Sequence, residues 1–150
     1  VPPRPIEHHH GSDTTTRGLR VQVKPQFVPD EDLDANAPHL GTGEQWKGRR
    51  FIFAYHITVT NQSERTVQLL RRRWRIVDAD GDVNVVEGDG VVGRQPTLKP
   101  GQAFEYASYC PLSTPWGTME GAYIFIEPGT REEFEVAVGR FYLVSGGTET

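Results

Sequence analysis

The sequence predicts an all-β sandwich. Apolar and polar residues alternate through several segments of strand length, and clusters of turn-forming residues separate them. No window of about ten residues carries helical spacing with a cap at each end. Together these give about seven short strands packed as two sheets.

Residues 1–16, "VPPRPIEHHHGSDTTT", are polar and proline-rich and read as a flexible N-terminal arm. The domain is expected over residues 17–144, with a tail at 145–150. "GLRVQVKPQFV" alternates, Leu19, Val21 and Val23 against Arg20, Gln22 and Lys24, as in a half-buried strand. Residues 29–48 are acidic and carry Gly and Pro, and this long connection reads as an interaction element. In "RRFIFAYHITVTN", Phe51, Phe53, Tyr55, Ile57 and Val59 form the expected core face. "NQSER" is a turn whose side chains bond their own backbone. In "TVQLLRRRWRIVD", Leu70, Trp74 and Ile76 are expected to face the core, with Arg71, Arg73 and Arg75 opposite them. "DADGD" is an Asp-Gly hairpin turn. Pro96 and Pro100 forbid a regular helix in the next stretch, and "LKPG" is a turn. "QAFEYASY" alternates again, with Phe104, Tyr106 and Ser108 on one side. "PLSTPWGTMEG" reads as an irregular loop leading into "AYIFI", "EPGTRE" turns the chain, and "EFEVAVGRFYLV" is the last strand.

A chain of 150 residues is enough for one domain with a real core. The net charge of −4 does not favour nucleic acid as a specific partner. A single cysteine, Cys110, allows no disulfide within the chain and fits a reducing cytoplasm. No apolar run is long enough to insert in a bilayer, so a cytoplasmic location is expected.

"EGDGVVG" places Gly88, Gly90 and Gly93 in the spacing of a dinucleotide-binding turn. That motif works only where a strand precedes it and a helix opens after it, so that N–H groups and the helix dipole meet a pyrophosphate. Here strands flank it, and the favoured reading is backbone geometry: positive φ, a bulge or close packing. Specific nucleotide binding is not expected. If an anion binds there, Arg94 is its first expected partner.

The runs "EGDGVVGRQPTLKPGQAFEYAS" and "TPWGTMEGAY" resemble the ApaG family, and the similarity extends over approximately residues 17–144. The resemblance implies an immunoglobulin-like sandwich close to fibronectin type III. It also implies a bacterial protein linked to cobalt and magnesium efflux, a family label without an agreed biochemical mechanism. Related domains inside a eukaryotic F-box protein and a polymerase-δ-interacting protein imply a protein-interaction module. Efflux through this chain itself is not expected, because crossing a bilayer needs a spanning helix or a closed barrel.

Other constellations are weaker. Asp78, Asp80 and Asp82 begin like a calcium loop, but glycine comes fourth rather than sixth, so weak divalent binding at an exposed turn is the most they promise. His8, His9 and His10 bind cobalt or nickel as any adjacent imidazoles on an arm do. His56 falls on the second face of its strand, packed or half-exposed. Ser108, Ser113 and His56 show no triad spacing, so no catalytic residue and no cofactor is expected. Arg71, Arg73 and Arg75 either grip an acidic partner or phosphate, or pair with acids across the sheet. Trp116 either anchors a partner, extended by Leu112 and Met119, or caps one end of the sandwich. The expected function is a non-enzymatic module that binds another protein. The alternative is a sensor of a divalent cation or of phosphate or pyrophosphate near the glycine-rich loop.

Overall fold

The computed structural model describes residues 10–29 and 51–146. Most of the expected 29–48 connection, together with His8, His9 and Trp46, lies outside them.

The strands are β1 (Ser12–Thr16), β2 (Leu19–Val28), β3 (Phe51–Asn61), β4 (Val67–Asp78), β5 (Val83–Asp89), β6 (Thr97–Leu98), β7 (Ala103–Leu112), β8 (Trp116–Glu127) and β9 (Glu132–Val144). One sheet runs β1-β2-β3-β7 and the other β5-β4-β8-β9, with β6 also pairing β4. Every pairing is antiparallel, and the described residues contain no helix. This is the all-β sandwich of immunoglobulin and fibronectin type III type.

The inner faces meet as the alternation requires. Leu19, Val21 and Val23 of β2 and Phe53, Tyr55, Ile57 and Val59 of β3 are buried. Opposite them lie Val67, Leu69 and Trp74 of β4, Tyr123 and Phe125 of β8, and Phe141 and Leu143 of β9. Trp74 sits at the centre, its ring edge-on to Tyr55 at 5.6 Å, Phe141 at 5.9 Å and Tyr123 at 6.0 Å. Such edge-to-face contacts add roughly 0.5–1.5 kcal/mol per pair beyond area burial.

Three sequence readings are corrected. First, residues 12–16 of the expected arm form β1. Arg17 and Gly18, both at positive φ (52° and 84°), make the tight turn that folds β1 onto β2. A flat polar strand next to an arginine–glycine turn carries neither an apolar period nor an Asn-Gly signature. Second, Leu70 does not share a face with Trp74. The β4–β8 register shifts between Leu69 and Arg71, so β4 buries Val67 and Leu69, then changes phase and turns Arg72, Trp74 and Ile76 inward. Third, "PLSTPWGTMEG" is mostly strand, because β7 reaches Leu112 and β8 starts at Trp116. Pro111 is tolerated because β7 is an edge strand. Gly121 marks close strand approach rather than a turn: a Cβ there would collide with the Arg73 carbonyl.

The bulge fixes unequal roles for two adjacent leucines. Leu69→Ala is expected to lose about 2–5 kcal/mol of unfolding free energy and Leu70→Ala less than about 1.5 kcal/mol, measured by urea denaturation. Equal losses would mean that β4 keeps a single phase.

Candidate functional site

The two sheets close on each other along one side only. There β1 covers β9: the Tyr142 N–H donates to the His10 carbonyl at 2.8 Å, and the Ser12 hydroxyl donates to the Gly139 carbonyl at 2.8 Å. Among the described residues the opposite side, bounded by β5 and β7, is open. A cleft of about 530 Å³ enters there, lined among others by Arg72 and Trp74 of β4, Asn84 of β5 and Ser108 and Cys110 of β7.

Arg72 is the only cation that the phase change in β4 turns inward. Its Nη1 donates to the carbonyls of Asp89 (2.9 Å) and Gly90 (2.8 Å), and no described carboxylate pairs with it. Three tyrosines stand near it. Tyr106 and Tyr123 share a hydrogen bond between their hydroxyls, and the Tyr55 hydroxyl bonds to Ser108. Burial pushes the Tyr55 phenol up to about 12, with Ser108 pulling the other way. Burial likewise pushes Tyr106 and Tyr123 up, and the Arg72 charge opposes the shift in all three. These hydroxyls are therefore neutral donors and acceptors, not bases. Sequence reading singled out the outward arginines and passed over Arg72. The only signal available was an arginine two residues before Trp74 on the same face.

The glycine-rich stretch is a small hairpin. Gly88 lies in β5, where a side chain would strike the Arg72 guanidinium. Gly90 has φ +64°, and a Cβ there would run into the Arg94 carbonyl. Val91 and Arg94 exchange both backbone hydrogen bonds, at 2.8 and 2.9 Å, around Val92 (φ 42°) and Gly93 (φ 78°). The Gly90 N–H donates to the Leu70 carbonyl. The backbone donors of Gly90, Val91 and Arg94 are thus spent inside the protein, and no helix follows among the described residues. Arg94 lies over the Phe104 ring at 5.3 Å.

Arg71, Arg73 and Arg75 share the outer face. They meet Glu133 at 2.8 Å, Glu135 at 3.0 Å and Glu120 at 3.6 Å across the sheet. Asp78, Asp80 and Asp82 bring carboxylate oxygens within 4.8 Å of one another. The turn is organised by its own bonds, since Asp78 Oδ1 accepts the N–H groups of Asp80 (2.9 Å) and Asp82 (3.0 Å). Cys110 is buried. His56 lies on the exposed face of β3, 3.3 Å from Glu105.

Trp116 opens β8 on the outer face and is 49% exposed. Thr114 ties the preceding loop down, donating to the Trp116 carbonyl and accepting from the Ala79 N–H. Leu112 and Met119 are 4% and 1% exposed and belong to the core, so they do not extend the Trp116 surface. Other neighbours do. Val83 faces Val77, Val77 faces Thr118, and Thr118 faces Tyr142. Val83 (50%), Val85 (57%) and Tyr142 (40%) join Trp116 as exposed large apolar side chains on that one face. Sequence reading missed this group because its members are brought together only by strand pairing.

The ApaG domain model matches residues 41–127, which contain the cleft and the glycine hairpin. An ApaG protein of Rhodospirillum centenum is 42% identical over 130 residues, covering 87% of this chain and 90% of that one. The chain belongs to the ApaG family. A second ApaG protein, from Anaeromyxobacter sp., is 40% identical over 137 residues, covering 91% of this chain and 98% of its own. The crystal structure of a Bordetella pertussis protein described as ApaA is 36% identical with a TM-score of 0.72, covering 90% of this chain and 98% of that one. The C-terminal domain of wzt, 9% identical with a TM-score of 0.50, shares the fold alone. As in the sequence reading, no helix of the described residues is long and apolar enough to cross a membrane.

The buried tyrosines of this ApaG domain give it a definite alkaline response. Tyr55 ionises near its ordinary value of 10.0 when unfolded and near 12 when folded. The folded state holds its proton more tightly, so the associated stability is complete below about pH 10 and is lost as pH rises toward and through 12. Urea unfolding should show this fall, and Tyr106→Phe should make it shallower.

Proposed function

We propose that this ApaG-family chain is a non-enzymatic binding module that recognises another protein. Any link to cobalt and magnesium homeostasis then runs through that partner. The observation that carries this reading is the gathering of Trp116, Tyr142, Val83 and Val85 on the outer face of the second sheet. Exposed apolar side chains grouped on one face mark interaction surfaces, and tryptophan and tyrosine dominate binding energy at such surfaces. The non-enzymatic part is supported by the placement of polar groups. Ser108 faces inward beside Tyr55, while the imidazole nearest in register, His56, lies on the outer face of β3 engaged by Glu105. A nucleophile and its base need to share one face.

The test is Trp116→Ala. It should leave the melting temperature nearly unchanged and weaken a partner captured from native cytosol by at least ~2 kcal/mol, about thirtyfold in Kd. A large fall in melting temperature with unaltered capture would make Trp116 a structural cap instead.

One observation favours a second reading, a small-anion sensor. Arg72 faces the cleft with three N–H donors beyond the two given to Asp89 and Gly90, and no described carboxylate pairs with it. Phosphate or pyrophosphate is the ligand such a donor set takes. Calorimetry with pyrophosphate, with and without magnesium, should then show binding that Arg72→Lys loses at unchanged melting temperature. Absence of heat with the wild-type chain disposes of this reading.

A further inference from the structure

We propose that the edge of β5 and the acidic turn feeding it dock an extended, basic segment of a partner protein, which adds as a strand to the second sheet. The inference rests on the protein-recognition reading and names its geometry and chemistry.

The backbone comes first. Among the described residues, β5 pairs with β4 on one side only, and no backbone group of residues 83–88 makes a hydrogen bond beyond that ladder. The other edge of the same sheet is handled differently: β1 lies against β9, and the Ala137 and Tyr142 N–H groups are satisfied by Thr16 and His10. An exposed edge with unused donors and acceptors is a template for another strand. Inward side chains of an added strand would pass beside Asn84 and Val86, which line the mouth of the open cleft.

Charge then selects the occupant. The outward positions of β5 run Val83, Val85, Glu87, Asp89. Among the described residues every carboxylate lies within 4.0 Å of an arginine except Glu64, Asp78, Asp80, Asp82, Glu87, Asp89 and Glu105, which meets only the His56 imidazole. Asp78 ends β4, Asp80 and Asp82 lie in the turn after it, and Glu87 and Asp89 lie on β5. Arg71 and Arg73 stand opposite Asp89 and Glu87 in the ladder but make their ion pairs with Glu133 and Glu135, as Arg75 does with Glu120. The edge therefore presents Val83 and Val85 at one end, next to the acidic turn, and Glu87 and Asp89, which make no ion pair, at the other. A second copy brought edge to edge would set one acidic strand against another, which is repulsive. A segment with valine or isoleucine beside Val83 and Val85, and lysine or arginine beside Glu87 and Asp89, satisfies both features. Seven residues of β5 correspond to an occupant of roughly 23 Å at about 3.3 Å per residue.

A displayed library of seven-residue segments tests this directly. The even positions and two neighbouring odd positions at one end are fixed as valine, isoleucine or threonine, and the two odd positions at the other end are randomised among lysine, arginine, glutamate and aspartate, with the charged end placed first in one half of the library and last in the other. Selection on the wild-type chain should enrich lysine and arginine. The winning peptide should slow amide exchange in Val83–Gly88, and its affinity should fall at least tenfold in Glu87→Lys/Asp89→Lys. Both side chains are exposed, and the neutral Glu87→Gln/Asp89→Asn variant, which sets no lysine opposite Arg73 and Arg71, should melt as wild type does and also bind the basic peptide more weakly. Failure to enrich basic segments, protection elsewhere, or equal affinity in the charge-reversed variant would each overturn the proposal. So would self-association that protects Val83–Gly88 in the chain alone, because the occupant would then be a second copy. If capture of a natural partner depends on Trp116 but not on Glu87 and Asp89, strand addition falls while protein recognition stands.

Discussion

One extra residue in β4 organises much of this molecule. Before Leu70 the strand buries Val67 and Leu69; after it, Arg72, Trp74 and Ile76 turn inward. A strand that kept a single phase would have to expose Val67 and Leu69 to bring Trp74 inward, or bury Arg71, Arg73 and Arg75 and expose Trp74 to keep Leu69 buried. The bulge removes the conflict. It seats Trp74 among Tyr55, Tyr123 and Phe141, sends Arg71, Arg73 and Arg75 out to the acids of β8 and β9, and leaves Arg72 as the one inward cation of the strand. Arg72 is supported by the Asp89 and Gly90 carbonyls at the end of β5. Gly88, Gly90 and Gly93 serve that local geometry: room for the guanidinium, then the tight reversal that follows.

The sandwich is asymmetric as a result. On the β1–β9 side the sheets are joined by backbone and hydroxyl bonds, and the core there is apolar. On the β5–β7 side they part around a cleft whose polar groups are neutral hydroxyls and one arginine. Burial holds the tyrosines in their protonated form, so the network behaves as structure and not as acid–base machinery. Large exposed apolar side chains gather on the outer face of the second sheet, on β5, β8 and β9, and most of the described carboxylates without an arginine partner lie on β5 and the turn before it. A binding module needs its scaffold rigid and its recognition surface unsatisfied, and this distribution supplies both.

The turns show how tightly local chemistry is used. Asn61 is fully buried yet satisfied: its Nδ2 donates to the Arg65 and Leu98 carbonyls, and its Oδ1 accepts from Ser63. One side chain thus ties the β3–β4 turn to β6. Val92 pays for its tight hairpin with a positive φ that β-branched residues rarely adopt, and its side chain stands in solvent at the tip.

Period-two alternation determined the two-sheet class, the β3 core face and the outward arginines of β4, because side-chain direction along a strand is a local property. The long runs "EGDGVVGRQPTLKPGQAFEYAS" and "TPWGTMEGAY" carried the family. The sequence could not place what depends on pairing between distant segments. Whether Leu69 or Leu70 is buried depends on the register of β4 against β8. Leu112 and Met119 are core while Trp116 is exposed, although all three lie in one short stretch, because the opposite sheet covers the first two and only Val144 stands beside the third. The acids of β5 stand out only once Asp13, Glu120, Glu127, Glu132, Glu133 and Glu135 have each met an arginine from another strand or turn. Burial and charge compensation belong to pairs of segments, and tertiary structure alone decides which segments meet.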